Sequence, residues 1–310
     1  MKVIFCGTPA FAVGVLKAIM GTSHEIVAVL TKPDKVNKRG HGIKFSAVKE
    51  YALTNFLPIY QFEKVGRDGY DILSSLKADI MITAAYGQIL PERVIDLFPF
   101  GVINAHASLL PKYRGAAPVQ YALLNGDTEV GITIMRTVME VDAGDIILKK
   151  SIKLKGDENT EEVLDQLSPL AGDAIVEVLD LIYNNSMVLT PQNNEFATHT
   201  VPLKKENAVI NFNSRATDIV NFIRAYAPNP GAYTITSHGR LKILKAKIDY
   251  DEYSAVPSTV VVSNKRGISV KCKDYAIIPL IVQGESGKIM YAGDYFRGRT
   301  VNIGDKFKEN

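Results

Sequence analysis

Apolar and polar positions alternate along the chain in blocks that predict strands and helices in turn. Lys2–Cys6 is a short apolar run closed by Gly7-Thr8-Pro9, and apolar residues then recur at helical spacing over about Ala10–Met20. Glu25–Leu30 is a second strand, Phe45–Thr54 a helix, Ile59-Tyr60 a short strand and Tyr70–Leu76 another helix. Asp79–Ala84 is almost continuously apolar, as a parallel strand buried on both faces should be. The stretch from Gly101 forms the next strand, and Gly131–Arg136 and Ile146–Ile152 predict two more, added antiparallel at the sheet edge. Thr160–Tyr183 reads as one long amphipathic helix, with Pro169 near its middle expected to bend it. Strands alternating with helices in this way imply an open, mostly parallel α/β sheet.

The pattern breaks between Asn184 and Asn207, where Asn-Asn-Ser, Thr-Pro-Gln-Asn-Asn-Glu and Lys-Lys-Glu-Asn are turn and linker chemistry. A helix over Ser214–Ala225 and a Pro-Gly break at Pro228–Gly231 follow. Short β-like runs then occupy Tyr233–Thr236, Leu241–Ile248, Thr259–Ser263, Ile268–Cys272 and Ala276–Val282, which suggests a small β-barrel of the oligonucleotide-binding (OB) type. The expected division is a catalytic domain over 1–185, a linker over 186–206 and a barrel domain over 207–310.

Composition narrows the class. Hydrophobic residues at 46% and charged residues at 22% are those of a soluble globular protein. The N-terminal apolar run is too short for a signal peptide or a membrane span, and Cys6 and Cys272 have no C-x-x-C spacing, so a cytoplasmic, disulfide-free protein is expected. The net charge of +3 is uneven: residues 1–205 hold 21 lysines and arginines against 23 acidic residues, and residues 206–310 hold 15 against 10. A weakly basic C-terminal domain suits an anionic partner, although many domains without one carry as much charge.

The candidate chemistry concentrates at residues 101–120. Asn104 and His106 lie two apart, so an extended strand end sends amide and imidazole to one face. An apolar elbow, Ser108–Pro111, and a helix with Pro118 in its first turn come next. A polar pair at a strand end, before a loop and a helix, is where an open α/β sheet keeps its site. Asp142-Ala-Gly144-Asp145 adds a carboxylate-bearing turn, although Asp and Gly are ordinary turn formers. An Asn, His and Asp set suits acyl transfer to an amine. An amide N–H and an imidazolium stabilise charge developing on a carbonyl oxygen, and an imidazole with an ordinary pKa of about 6.5 accepts the amine proton. A carboxylate beside the ring holds its tautomer. Covalent catalysis fits less well, because Ser108 lacks a Gly-x-Ser-x-Gly elbow and Cys6 lies within a strand. One histidine with two aspartates is a poor metal set, and no metal is expected.

Two other stretches raise the question of phosphate binding. Gly7 and Gly14 do not complete Gly-x-Gly-x-x-Gly, so the first turn reads as a tight βα connection rather than a pyrophosphate site. Thr31–Lys44 carries Lys32, Lys35, Lys38, Arg39 and Lys44 against Asp34, which fits either a solvated loop or contact with a phosphate-bearing substrate.

Asn104-Ala-His106-Ala-Ser108-Leu-Leu-Pro111-Lys-Tyr-Arg114-Gly115-Ala-Ala-Pro118-Val-Gln120, with Asp142-Ala-Gly144-Asp145, resembles the signature of the folate-dependent formyltransferases. Similar matches run along essentially the whole chain: Phe5-Cys-Gly7-Thr8-Pro9, Thr31–Asp34 with Lys38–Gly40, Ala85–Pro91, Pro191-Gln192 through Ala197-Thr198, Ile223–Ala225 with Pro228–Ala232, and Gln283 to Gly298. The C-terminal pieces narrow the resemblance to the members that formylate methionyl-tRNA. It implies a Rossmann-like sheet with an OB-like barrel, and transfer of formyl from 10-formyltetrahydrofolate to the methionine α-amino group on initiator methionyl-tRNA. By the same resemblance Asn104 would hold the formyl oxygen, His106 would assist charge and proton transfer, and Asp142 would orient His106. Ser108, Leu109, Leu110 and Pro111 would line the folate, with Tyr86, Gly87, Gln88, Ile89 and Leu90 around its pterin. Lys35, Lys38 and Arg39 would reach the tRNA acceptor end, the C-terminal domain would hold the tRNA backbone, and a monomer is expected. Sugar-nucleotide formyltransferases and formyltetrahydrofolate hydrolase domains share the Asn, His and Asp set but not the basic loop and C-terminal motifs. Two departures stand out: Lys35-Val-Asn-Lys38 replaces the family's Arg-Pro-Ala-Gly-like run, and Asn229 replaces its tryptophan.

Overall fold

In a computed structural model describing residues 1–36, 42–265, 267–285 and 287–308, the N-terminal apolar run becomes the centre of a seven-stranded sheet. Its order is Ile146–Lys153, Glu129–Arg136, Val102–His106, Ile80–Ala84, Lys2–Gly7, Glu25–Leu30, Ile59–Tyr60. The five strands from Val102–His106 to Ile59–Tyr60 are parallel. Glu129–Arg136 joins antiparallel to Val102–His106, and Ile146–Lys153 antiparallel to it in turn, as their edge-strand patterns predicted. The chain winds outward from Lys2–Gly7 on one side and returns at Ile80–Ala84 on the other, so a topological switch point lies between those two strands. Ligands of open α/β sheets bind beyond the carboxyl ends of the strands at such a point. Here the loops after both strands are tied together, since the Thr8 hydroxyl donates to the Tyr86 carbonyl at 2.9 Å.

Burial explains the continuous apolar runs. Val3, Ile4, Phe5, Cys6, Ile80, Met81 and Ile82 are fully buried, each large side chain contributing roughly 1.5–3 kcal/mol. The helix Ala10–Met20 covers the sheet with Phe11, Ala12, Val15, Leu16 and Ile19, an i, i+4 stripe. Gly14 has a packing role: a Cβ there would lie 2.2 Å from Ser168 Oγ, and one at Gly172 would lie 2.7 Å from Ala18 Cβ. This helix and the long helix Thr160–Tyr183 therefore touch backbone to backbone, and the Ser168 hydroxyl donates to the Phe11 carbonyl at 2.8 Å.

The basic stretch after Leu30 is a hairpin stem, with Lys35–Val36 paired antiparallel to Ile43–Lys44. Lys35 is exposed there, and Lys38 and Arg39 lie outside the described residues.

By contacts the chain forms two units. One comprises Met1–Pro118, Glu129–Lys153 and Leu164–Thr200; the other comprises Val119–Thr128, Leu154–Val163 and Val201–Asn310. The second is built on an antiparallel sheet ordered Ala232–Thr236, Gly239–Asp249, Ala276–Gly284, Gly267–Lys271, Val260–Asn264, with Ile289–Tyr291 also on Ala276–Gly284. Bridges from Ile235 to Lys308 and from Thr259 to Lys306 bring the tail against both sheet edges and curl the sheet toward an OB-like barrel. The helix Ala216–Tyr226 packs on this sheet, and the Thr160 hydroxyl donates to the Ala225 carbonyl at 2.8 Å. In the turn before Thr160, the buried Glu158 carboxylate accepts from the N–H groups of Lys155 at 2.8 Å and Gly156 at 2.9 Å. Among the described residues no helix is long and apolar enough to cross a membrane.

Candidate active site

Val102–His106 ends at the carboxyl edge of the sheet, and alternation puts Asn104 and His106 on one face. Thr83, register partner of Asn104 on the neighbouring strand, donates its hydroxyl to Asn104 Oδ1 at 2.8 Å. That bond fixes the amide with its Nδ2 donors on the opposite side. His106 is 6% exposed, and its Nε2 lies 2.9 Å from the Tyr113 carbonyl oxygen. A carbonyl only accepts, so Nε2 carries the hydrogen and Nδ1 is the nitrogen able to gain a proton. Asp142 Oδ2 lies 3.4 Å from Nδ1 and also accepts the Gly115 N–H at 2.8 Å. The 3.4 Å gap is longer than a charge-assisted hydrogen bond, so the ring faces the carboxylate without being committed to it.

The Asp142 turn is held in an unusual backbone. Asp142 has φ of 52°, and a Cβ on Gly144 would lie 1.9 Å from the Arg136 carbonyl oxygen. The side chain of Gln192 spans the turn, donating from Nε2 to the carbonyls of Asp142 at 2.8 Å and Gly144 at 2.7 Å. Its Oε1 accepts from Arg114 Nε at 3.0 Å and Nη2 at 2.9 Å. Arg114 is 2% exposed and also reaches Asn194 Oδ1 at 2.7 Å and Glu140 Oε1 at 3.4 Å. The stretch after Asn184, turn-like in composition, thus runs over this region, and His199–Thr200 pairs parallel with Arg114–Gly115. Gly115 has φ of 107°, and a Cβ there would lie 2.4 Å from the Thr200 carbonyl oxygen. In the sequence Arg114 and Gln192 carry no signal beyond membership of two stretches that match the family.

The residues expected around the folate fall into different settings. Ser108 is 4% exposed, donates its hydroxyl to the Lys112 carbonyl at 2.7 Å and accepts from Thr133 through its own carbonyl at 2.7 Å. Leu110 is fully buried with Met135 and Ile146; its N–H donates to the Thr133 hydroxyl at 3.1 Å, and the Lys149 ammonium donates to its carbonyl. The Leu110–Pro111 bond is cis, and Leu109 and Pro111 are half-buried. In the other loop Tyr86 and Leu90 are buried, while Gly87 has φ of 76° and lies against Lys32. Gln88 braces that loop, accepting the Val65 N–H at 2.9 Å and donating to the Phe62 carbonyl at 2.6 Å. Ile89, at 81% exposure, is the apolar side chain of the loop that faces outward.

Neither cysteine is set up as a nucleophile. Burial pushes the Cys6 thiol far above its usual range and that of Cys272 up to about 12, so neither supplies a thiolate at neutral pH. Among the described residues no three His, Cys, Asp or Glu side chains converge as a metal-binding group. Asp142 faces the ring, whereas Asp145 accepts the Arg136 N–H through its carbonyl at 2.9 Å.

Comparison with known proteins places the chain. Residues 1–179 match the formyl transferase family, and residues 202–300 match the formyl transferase C-terminal domain. The methionyl-tRNA formyltransferase of a Sulfurihydrogenibium species is 38% identical over 99% of this chain and 100% of its own length. Among solved structures, the methionyl-tRNA formyltransferase from Clostridium thermocellum superposes with a TM-score of 0.58 at 16% identity, over 81% of this chain and 95% of that one. WlaRD, a sugar 3N-formyl transferase crystallised with dTDP and 5-N-formyl-THF, superposes with a TM-score of 0.67 at 22% identity, over 93% of this chain and 99% of its own. Likeness that extends over the full length of the chain and matches both domains decides the placement: the chain belongs to the methionyl-tRNA formyltransferase family.

Proposed function

We propose that Asn104, His106 and Asp142 carry formyl transfer from 10-formyltetrahydrofolate to the α-amino group of methionine on initiator methionyl-tRNA, in the cytoplasm. The observation that supports this most directly is the joint setting of the three side chains. Asn104, its amide oriented by Thr83, shares a strand face with His106, whose proton-accepting Nδ1 looks toward the Asp142 carboxylate, at the strand end beside the sheet's switch point. As the amine adds to the formyl carbon, Asn104 Nδ2–H donates to the oxygen on which charge develops. His106 Nδ1 takes the amine proton, and Asp142 stabilises the resulting imidazolium. The adduct then collapses: the carbonyl re-forms, the carbon–nitrogen bond to the folate breaks, and the proton on Nδ1 passes to the departing folate nitrogen. Ile89, Leu109 and Pro111 offer apolar surface for the folate, and the tightly bonded Ser108, Leu110 and Gln88 shape the loops that present it. Lys35, Lys38 and Arg39 are assigned by their charge to the acceptor end of the tRNA, and the basic 206–310 segment to its phosphates.

Purified protein with 10-formyltetrahydrofolate and methionyl initiator tRNA should yield formylmethionyl-tRNA. His106→Ala should abolish the product while folate binding survives. Formylation of a sugar nucleotide in place of the tRNA would overturn the substrate assignment, and full activity of His106→Ala would overturn the catalytic one.

A further inference from the structure

We infer that Gln192, oriented by Arg114, is a positioning residue for the Asp142–His106 pair, an inference that rests on the formyl-transfer reading above. Arginine has only donors, so both of its bonds fix Gln192 Oε1 on the Arg114 side, at 3.0 and 2.9 Å. The two hydrogens of Nε2 are then left to face the carbonyls of Asp142 and Gly144, at 2.8 and 2.7 Å. One amide therefore grips both ends of a three-residue turn whose first residue has φ of 52°. A left-handed backbone is less favourable for a residue with a side chain than for glycine, and it persists where the surroundings hold it. Gln192 is the side chain that bonds both ends of the turn. The turn it holds aims the carboxylate of Asp142 at the Gly115 N–H and at His106 Nδ1. Arg114 is in turn anchored by Asn194 and Glu140, so the amide is set by a buried guanidinium rather than by solvent.

Gln192 also ties the 184–200 segment to the rest of its unit, and a mere tether predicts a different outcome from a positioning device. Gln192→Glu keeps an oxygen for Arg114, and a charged one, so a tether would be kept or strengthened. It also replaces the amide donors with an oxygen facing two carbonyl oxygens, which releases the turn. With the full chain, Gln192→Ala should lower kcat for formylation roughly 10–100-fold, with KM for both substrates little changed. Gln192→Glu should not restore it. The NMR resonance of the Gly115 amide proton, which the Asp142 carboxylate accepts, should move upfield in both variants while the thermal midpoint of Gln192→Glu stays near wild type. Unchanged kcat in Gln192→Ala, or recovery in Gln192→Glu, would overturn the inference. A wild-type protein that does not formylate methionyl-tRNA would overturn the functional reading instead, and an unmoved Gly115 resonance would still refute the role of Gln192.

Discussion

Asp142→Asn removes one charge and leaves the outline of the side chain unchanged. Oδ2 accepts the Gly115 N–H at 2.8 Å and faces His106 Nδ1 at 3.4 Å. If the asparagine oxygen keeps the Gly115 bond, no charge remains to meet the imidazolium proposed to form during transfer. If the amide turns over, its N–H donates to Nδ1 and blocks the proton from arriving. Opposite unit charges 3.4 Å apart attract by about 5 kcal/mol at the effective dielectric of about 20 that suits protein sites. The carboxylate is 14% exposed, and water takes up part of that loss, leaving about 3 kcal/mol. At about 1.4 kcal/mol per decade this is a roughly 100-fold fall in kcat. Steady-state formylation with varied folate and varied methionyl-tRNA should show the loss in kcat, with both KM values near wild type. A kcat within about threefold of wild type, less than 1 kcal/mol, would refute the charge-supporting role of Asp142.

Asn104→Asp keeps the acceptor for Thr83 but removes the donor proposed for the formyl oxygen, so kcat should fall by roughly 100–1,000-fold with folate binding intact, as separate turnover and binding measurements would show. Gly144→Ala places a methyl 1.9 Å from the Arg136 carbonyl, so the turn has to move; turnover should collapse and the Gly115 amide resonance shift, even if the sheet still melts cooperatively. Burial alone would raise the carboxyl pKa of Glu158, but the backbone N–H groups of Lys155, Glu158 and Gly156 outweigh it and hold the group below its ordinary 4.5. Its stabilisation is therefore present above pH 4.5 and fades as pH falls through the lower folded value. Glu158→Gln should lower stability by about 1.5–3 kcal/mol at pH 7, and denaturant titrations should show the difference closing in acid.

Much of this architecture is legible because long elements repeat one period. Thr160–Tyr183 carries its apolar stripe through many turns and forms over the residues read, and the edge strand Ile146–Lys153 alternates visibly where the central strands are fully apolar. Boundaries depend on single bonds: the helix predicted from Phe45 starts at Ala47 because Ser46 caps it, accepting the Lys49 N–H at 3.0 Å. The one predicted from Ser214 starts at Ala216, whose N–H donates to Asp274 from a distant turn. Strand alternation alone pairs Asn104 with His106. It says nothing of the inward roles of Ser108 and Leu110, which the Thr133 hydroxyl on an antiparallel neighbour imposes. Arg114 and Gln192 were invisible for a related reason. A charged residue becomes buried only when chain from elsewhere supplies its acceptors, and the segment that does so here has the composition of a surface loop.

The parallel pairing of His199–Thr200 with Arg114–Gly115 sets where this protein can be divided. A break at residue 185 would retain every strand of the seven-stranded sheet, yet strand the Arg114 guanidinium in the interior without the acceptors it meets at Gln192 and Asn194. Recombination that joins this catalytic sheet to a different C-terminal module is therefore compatible with a working site only when the junction falls beyond Thr200. Shuffled descendants and engineered chimeras alike should carry the Gln192–Thr200 strip as part of the sheet, however much it resembles a connector.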